Sequence, residues 1–273
     1  MSKLSISKAW EDSKGIAVRD GRLIGAVALA LLLLPQAIAG VIVPPPNLSG
    51  VQAPQWAPIL SLLVAAIGVV GQVAIARLAL GPAASVGESI SHGLRRAGPA
   101  LLAIALFAIP LAILFVALVA LVAGPSAIEG FSGGAEPSPG VAGAILLGMI
   151  VALAIAVRFQ MIVPAAAAES GGPVKLVRRS WELTSGHYWR LLAFLLLVLG
   201  LAVVLLLVSM SIGGILGRVI FGDIKPFTIG ALLVALVSGL VQAALTAFAS
   251  VMLARIYVQL AGRSAASVPS SGS

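Results

Sequence analysis

The chain has 273 residues, of which 60% are hydrophobic and 10% charged, with a formal net charge of +8 and a mean hydropathy of +1.14. So little polar surface cannot cover a soluble globule of this length, and the composition reads as a polytopic membrane protein. The absence of cysteine excludes disulfides and Cys-containing metal sites, and the basic residues sit beside apolar runs, where topology and lipid headgroups explain them better than nucleic acid does.

Leu4 to Val18 mixes Ile6, Ala9, Trp10 and Ile16 with Lys8, Glu11, Asp12 and Lys14 at helical spacing, which predicts an amphipathic surface helix. A first span follows at about Arg22 to Val43. Its Ala37-Ile38-Ala39 resembles a signal-cleavage site, but the run reaches spanning length and acidic residues precede it, so an uncleaved span is expected. A charge-free, proline-rich connection at 44–55 leads to a second span, Trp56 to Leu80. Gly81 and Pro82 break it. Ser85 to Arg96 is a short amphiphilic segment before the third span, Ala97 to Ala123, and a Gly/Pro/Ser-rich loop carrying Glu129 and Glu136 precedes the fourth, Val141 to Val163.

After Pro164, a small apolar linker and Glu169 lead to the most informative stretch, Gly172 to Leu192. Lys175, Arg178, Arg179 and Glu182 fall on one helical arc, with Val174, Leu176, Val177, Trp181 and Leu183 opposite. Pro173 suits a helix start and Gly186 a helix stop. The chain then enters a fifth span, Trp189 to Ile212. Residues 213–226, with Arg218, Asp223 and Lys225, connect to a sixth at Phe227 to Leu260. All but two of the 17 Lys and Arg residues fall on one face, the exceptions being Arg218 and Lys225, so both termini are expected in the cytoplasm.

The fold class expected is all-α: a bundle of six transmembrane helices with amphipathic interfacial helices and a pseudo-threefold repeat. A single membrane domain covers 1–261, with units at about 4–80, 85–163 and 172–260, and 262–273 is a disordered tail. Lys8-Ala9-Trp10-Glu11 mirrors Arg179-Ser180-Trp181-Glu182, and Ser91-His92-Gly93-Leu94 is a weaker counterpart. Each returning span carries one arginine near its basic end: Arg77, Arg158 and Arg255. Such an arginine either snorkels to the headgroups or is buried against a partner. Glu88 and Glu169 each follow an arginine by eleven residues, which makes elbow salt bridges Arg77–Glu88 and Arg158–Glu169 candidates, whereas a partner for Arg255 must come from another unit. In the sixth span Ser238, Gln242, Thr246 and Ser250 recur every fourth residue beside Ala235, Gly239, Ala243 and Ala247. That stripe serves either close helix packing or the wall of a polar cavity, and Gln72 could belong to either.

The segment Ser180-Trp181-Glu182-Leu183-Thr184-Ser185-Gly186 with His187-Tyr188-Trp189-Arg190, together with Arg158, Pro164 and Glu169 upstream, resembles a bacterial family of six-span proteins named for the membrane domain of glycerophosphoryl diester phosphodiesterases. The resemblance implies a stand-alone membrane domain in the bacterial inner membrane. It transfers no phosphodiesterase activity, because catalysis in the named enzymes belongs to a soluble barrel of about 250 residues for which this chain has no room.

No catalytic constellation emerges. His92 and His187 lack a partner at metal-ligand spacing, no phosphate loop or nucleophile elbow is present, and no acid lies inside a span. Neither a metal nor a cofactor is expected. The first reading is therefore a non-enzymatic inner-membrane protein whose basic belt engages anionic phospholipid or a membrane-protein partner through Lys175, Arg178, Arg179, Trp181, Trp189, Arg190, Arg95 and Arg96. The belt equally serves topology alone. The second reading is a transporter or permease component for an anionic or amphipathic solute, using the polar stripe and the three span arginines, and a weaker third is a membrane enzyme of lipid metabolism. A groove reaching mid-membrane past Gln242 favours transport; a sixth span sealed by its small face favours the first reading.

Overall fold

A computed structural model describes residues 5–44, 53–81, 85–123, 138–222 and 224–266, with Ala123, Arg218 and residues 263–266 described by backbone alone. The expected loop around Glu129 and Glu136, Asp223, and the tail beyond Ala266 lie outside these. Among the described residues all regular structure is helical: α1 (Ile6–Ile42), α2 (Ala57–Leu80), α3 (Val86–Ala123), α4 (Pro139–Phe159), α5 (Ile162–Ala168), α6 (Pro173–Thr184), α7 (Tyr188–Phe221) and α8 (Ile229–Ala266). Six helical stretches, with α4 and α5 counted as one, are long and apolar enough to cross a membrane. The protein is an all-α, multi-pass membrane bundle.

The amphipathic segments meet their spans in two ways. In the third unit Gly186, at φ +80°, ends α6 and turns the chain before α7, the turn expected from sequence. In the first two units the expected separate surface helix does not exist, because the amphipathic residues run straight on into the span as α1 and α3. No residue of positive φ interrupts either helix, and Pro99 and Pro110 are carried inside α3. At 37 residues α1 is about 55 Å long, well beyond a hydrocarbon core of roughly 30 Å, so its basic end projects past the core.

Other boundaries also differ from expectation. The apolar linker after Pro164 is helical, because the chain breaks earlier, at Gln160–Met161, and restarts as α5. Pro164 lacks the N–H that the Gln160 carbonyl would need four residues on, which explains a break at that point. The fifth span continues to Phe221, and α8 continues through Ala266 rather than giving way to a tail at 262. At the end opposite the basic belt the Phe227 N–H donates to the Val41 carbonyl (3.0 Å), which ties the α7–α8 connection to the end of α1.

Helix starts follow local rules. Ser5 caps α1 by accepting from the Lys8 N–H (3.1 Å). Ser85 and Glu88 form a reciprocal capping box at α3: the Glu88 N–H donates to Ser85 Oγ (3.2 Å) and the Ser85 N–H to Glu88 Oε2 (2.9 Å).

The core lies at the basic end, where the returning helices α2, α5 and α8 pack on one another. Their contact is alanine-rich, with Ala74, Ala76, Ala165 and Ala254 fully buried beside Ile75, Met161 and Ile256. Small residues let backbones approach, which replaces the missing hydrophobic drive between helices in lipid. Each amphipathic segment then packs on the returning helix of the preceding unit: α3 on α2, α6 on α4 and α5, and α1 on α8. The third unit thereby closes on the first.

Burial fixes the repeat register. Ala9, Gly93 and Ser180 are buried, each is followed by two exposed residues, and Ser13, Ala97 and Thr184 are buried four positions on. The true counterpart of Ala9-Trp10 and Ser180-Trp181 is thus Gly93-Leu94, one residue later than the sequence alignment of His92 with Ala9 implies. Gly93 is small for a reason: a Cβ there would lie 2.7 Å from the Val70 carbonyl oxygen. On the opposite outer surface Leu102, Leu106, Ile113, Leu197 and Leu207 are exposed, as lipid-facing residues are.

Candidate functional site

Two places concentrate polar groups. The first is the basic end, where the elbow bridges expected from sequence do not form. The α5 helix carries the chain on from Arg158, so eleven residues of nearly helical rise put Glu169 about 16 Å along the axis, out of reach. Glu169 instead gathers three elements. Its Oε1 accepts from Arg179 Nε of α6 (2.8 Å) and from the Tyr257 hydroxyl of α8 (2.5 Å). Burial pushes the Glu169 carboxyl up, but the Tyr257 hydroxyl and the Arg179 guanidinium more than offset that and hold it below the ordinary carboxylate range. Burial likewise works against the Arg179 charge, and the hydrogen bond it donates to Glu169, with the attraction of that carboxylate, outweighs it, so its pKa is raised.

Arg158 stays at its own level. Its guanidinium lies over the rings of Trp181 (4.8 Å) and Tyr188 (5.3 Å), and its carbonyl accepts from the buried Ser180 hydroxyl (2.6 Å). Arg77 and Glu88 form no ion pair among the described residues: Arg77 is exposed, and Glu88 is spent on its capping box. Arg255 does take an acid from another unit, with Nη2 3.2 Å from Asp12 Oδ2. Gln259 reinforces that closure, accepting from the Ser5 N–H (3.2 Å) and donating to the Ser5 carbonyl (3.3 Å). Arg158 and Arg255 therefore reach into neighbouring units while Arg77 is exposed, and the three do not form a ring around a path.

The basic belt is partly neutralised from within. Arg178 pairs with Glu182 (3.0 Å), Lys175 Nζ donates to the Ser170 carbonyl (2.9 Å), and Arg179 is committed to Glu169. Arg95 is exposed and Arg96 half-buried, and the Arg190 backbone N–H donates to the His187 carbonyl (3.1 Å). The apolar arc assigned to α6 needs correction. Leu176, Ser180, Leu183 and Thr184 form the buried face, while Val174 and Trp181 point outward and Trp189 is 77% exposed. Trp181 and Trp189 are thus placed as interface anchors. His92 Nε2 lies 3.0 Å from the Ala167 carbonyl, and no metal-binding cluster exists among the described residues.

The second place is a cavity of about 680 Å³ between α1, α2 and α8, with Leu206 and Met210 of α7 at its edge. It runs from Val43 and Ala57, at the end opposite the basic belt, to Gln72 and Thr246, about halfway along their spans. Beyond its deep end Val27, Ala28, Val73 and Val251 are buried, and Ala28 and Val251 also line a second pocket of about 350 Å³ between α1 and α8 that shares Ala243 with it. Ser238, Gln242 and Thr246 line it, so three of the four stripe residues face open space. Ser250 does not: it is buried, with its hydroxyl donating to the Thr246 carbonyl (2.7 Å), and it belongs to helix packing. Across the cavity stand Gln72 and Ser61 of α2 and Gln36 of α1. Gln36 and Ser61 were not legible as site residues, because one polar residue in an apolar run carries no periodicity. Among the described residues, no arginine lines the cavity.

Beside the cavity α1 contains one wide turn of π-helix, Leu29–Leu33, followed by Pro35. Such turns are uncommon and favour functional sites. Here the turn puts Leu31 and Leu32 on the cavity wall.

Fold and site together define a multi-pass membrane bundle with an uncharged polar cavity entering from one end. Over residues 4–260 the chain matches a family described as a domain of unknown function (DUF7847), and it belongs to that family. No curated protein and no solved structure matches it.

Proposed function

We propose that the protein is a non-enzymatic component of a membrane transport or solute-binding system, and that it holds an amphipathic solute in the cavity between α1, α2 and α8. The observation that carries this reading is the groove itself, which passes Ser238 and Gln242 and ends at Thr246 and Gln72, near mid-span. A sixth span dedicated to packing would have been sealed along that face. The volume falls within the roughly 300–1,000 Å³ typical of small-molecule sites, and its mainly apolar wall with a few polar groups is what such sites present.

The basic end has a separate part. It sets orientation, with both termini on the cytoplasmic side of a bacterial inner membrane, and rests against anionic phospholipid through exposed Arg77, Arg95 and Arg178 with Trp181 and Trp189 as anchors. An anionic solute is disfavoured, because Arg158 and Arg255 face neighbouring units, Arg77 is exposed at the basic end, and none of the three lines the cavity.

A photoreactive amino acid at position 242 tests the reading against the same group at Leu236, which is exposed on the outer face of α8. Adducts at 242 drawn from a narrow subset of the lipids captured at 236 support a selective site. Identical adduct profiles at both positions, or capture of α1 and α2 alone, refute it.

A further inference from the structure

We infer that the cavity selects a neutral lipid, one whose head carries a hydroxyl or ester carbonyl and no net charge. This deepens the proposed solute-binding role and rests on it. The argument starts from hydrogen-bond capacity. Two of the three hydroxyls in the wall are satisfied locally, Ser238 donating to the Val234 carbonyl (2.7 Å) and Ser61 to the Ala57 carbonyl (3.1 Å), each within its own helix, whereas the Thr246 hydroxyl bonds to no other described residue. The three carboxamides are not satisfied either. Gln36, Gln72 and Gln242 line the cavity, and their side chains hydrogen-bond to no other described residue. Each carries two donors and an acceptor into a mainly apolar space, where an unmet polar group is costly.

Pro35 adds to this inventory. It has no N–H, so a carbonyl in the wide turn at Leu29–Leu33 loses its helical donor beside the cavity. The wall therefore offers several uncommitted donors and acceptors from three helices, and not one charge.

That combination discriminates by charge. A hydroxyl or an ester carbonyl finds partners among the amides while its chains lie against Leu31, Leu32 and Leu60. A phosphate monoanion finds no counter-charge in the wall, and an unpaired charge in such a site is penalised far more than an unpaired dipole. A lipid enters at the end near Val43 and Ala57, or between the helices there.

The full chain in lipid nanodiscs is exposed to two photoactivatable probes with the same acyl chains, a diacylglycerol and a phosphatidylglycerol. Peptides from the cavity faces of α1, α2 and α8 are expected to be labelled at least about tenfold more by the diacylglycerol, since leaving a charge unpaired costs more than one net hydrogen bond. The Gln36→Leu, Gln72→Leu, Gln242→Leu variant, which nearly conserves volume, is expected to lower diacylglycerol labelling roughly five- to tenfold without raising labelling by phosphatidylglycerol. The single Gln242→Leu variant is expected to lower diacylglycerol labelling in the same direction should the triple variant not accumulate. Equal or stronger labelling by phosphatidylglycerol in the unmodified protein overturns the neutral-lipid assignment and leaves the cavity as a solute site. Labelling of cavity peptides by neither probe, above that of the outer α3 surface, overturns both.

Discussion

Replacing Glu169 by alanine tests how the three units are held together. Its Oε1 accepts from Arg179 Nε at 2.8 Å and from the Tyr257 hydroxyl at 2.5 Å, and so joins α6 and α8 to the chain leaving α5. Hydrogen bonds to a charged group are worth about 1.5–3 kcal/mol each. The Tyr257 bond takes the full value because that residue is 5% exposed. The Arg179 bond is discounted, because both side chains keep about a quarter of their surface and water can replace part of it. The sum is about 3 kcal/mol, or about 6–12 °C in Tm at the 2–4 °C per kcal/mol of a chain this size. Thermal aggregation of detergent-solubilised protein reads this, with Glu182→Ala, whose pairs are largely solvent-exposed, as the control at under about 2 °C. Equal small losses for the two variants would refute the claim that Glu169 is a junction.

Acid should expose the same residue. The folded carboxyl lies below its ordinary value, so its contribution is complete above that value and is lost as pH falls through the folded one. The Tm advantage of the unmodified protein over Glu169→Gln is therefore expected to be constant near neutrality and to shrink below about pH 4.5, and an advantage that grows on acidification would contradict it. Asp12→Arg and Arg255→Asp are each expected to lose about 1 kcal/mol, since both side chains are under one-third exposed, and the double exchange to recover most of it in the same thermal assay. Gly93→Val is expected to cost about 1–3 kcal/mol by forcing α3 off the Val70 carbonyl, whereas Gly98→Val, with nothing near its Cβ position, is expected to cost about 1 kcal/mol at most.

How legible this was depended on length scale. Six spans of 20 or more apolar residues and the Gly186 stop depend on local composition, and they stand in number and order though not in every boundary. The pairing of Arg255 with an acid from another unit followed from elimination. The elbow bridges failed because equal spacing on either side of a break says nothing of whether the chain stays helical between; α5 does, and Glu88 is taken by its own cap. Ser180 read as part of a charged motif, yet it is buried so that its hydroxyl can reach the Arg158 carbonyl and let α6 sit close. Ser180 and Glu169 thus both hold elements together. The cavity was half legible. A four-residue period put Ser238, Gln242 and Thr246 on one face, but which helices stand away from that face depends on packing between units, to which Gln36 and Ser61 give no local clue.

Because the chain has no cysteine, single cysteines along the sixth span report directly on whether the Ser238–Gln242–Thr246 face is open. In membranes treated with a small maleimide, Ser238→Cys, Gln242→Cys and Thr246→Cys are expected to react in a four-residue rhythm, with Val251→Cys, which is 2% exposed, unreactive. A Gln242→Cys thiol as silent as that at 251 would mean the stripe is sealed, and the intramembrane site would not exist.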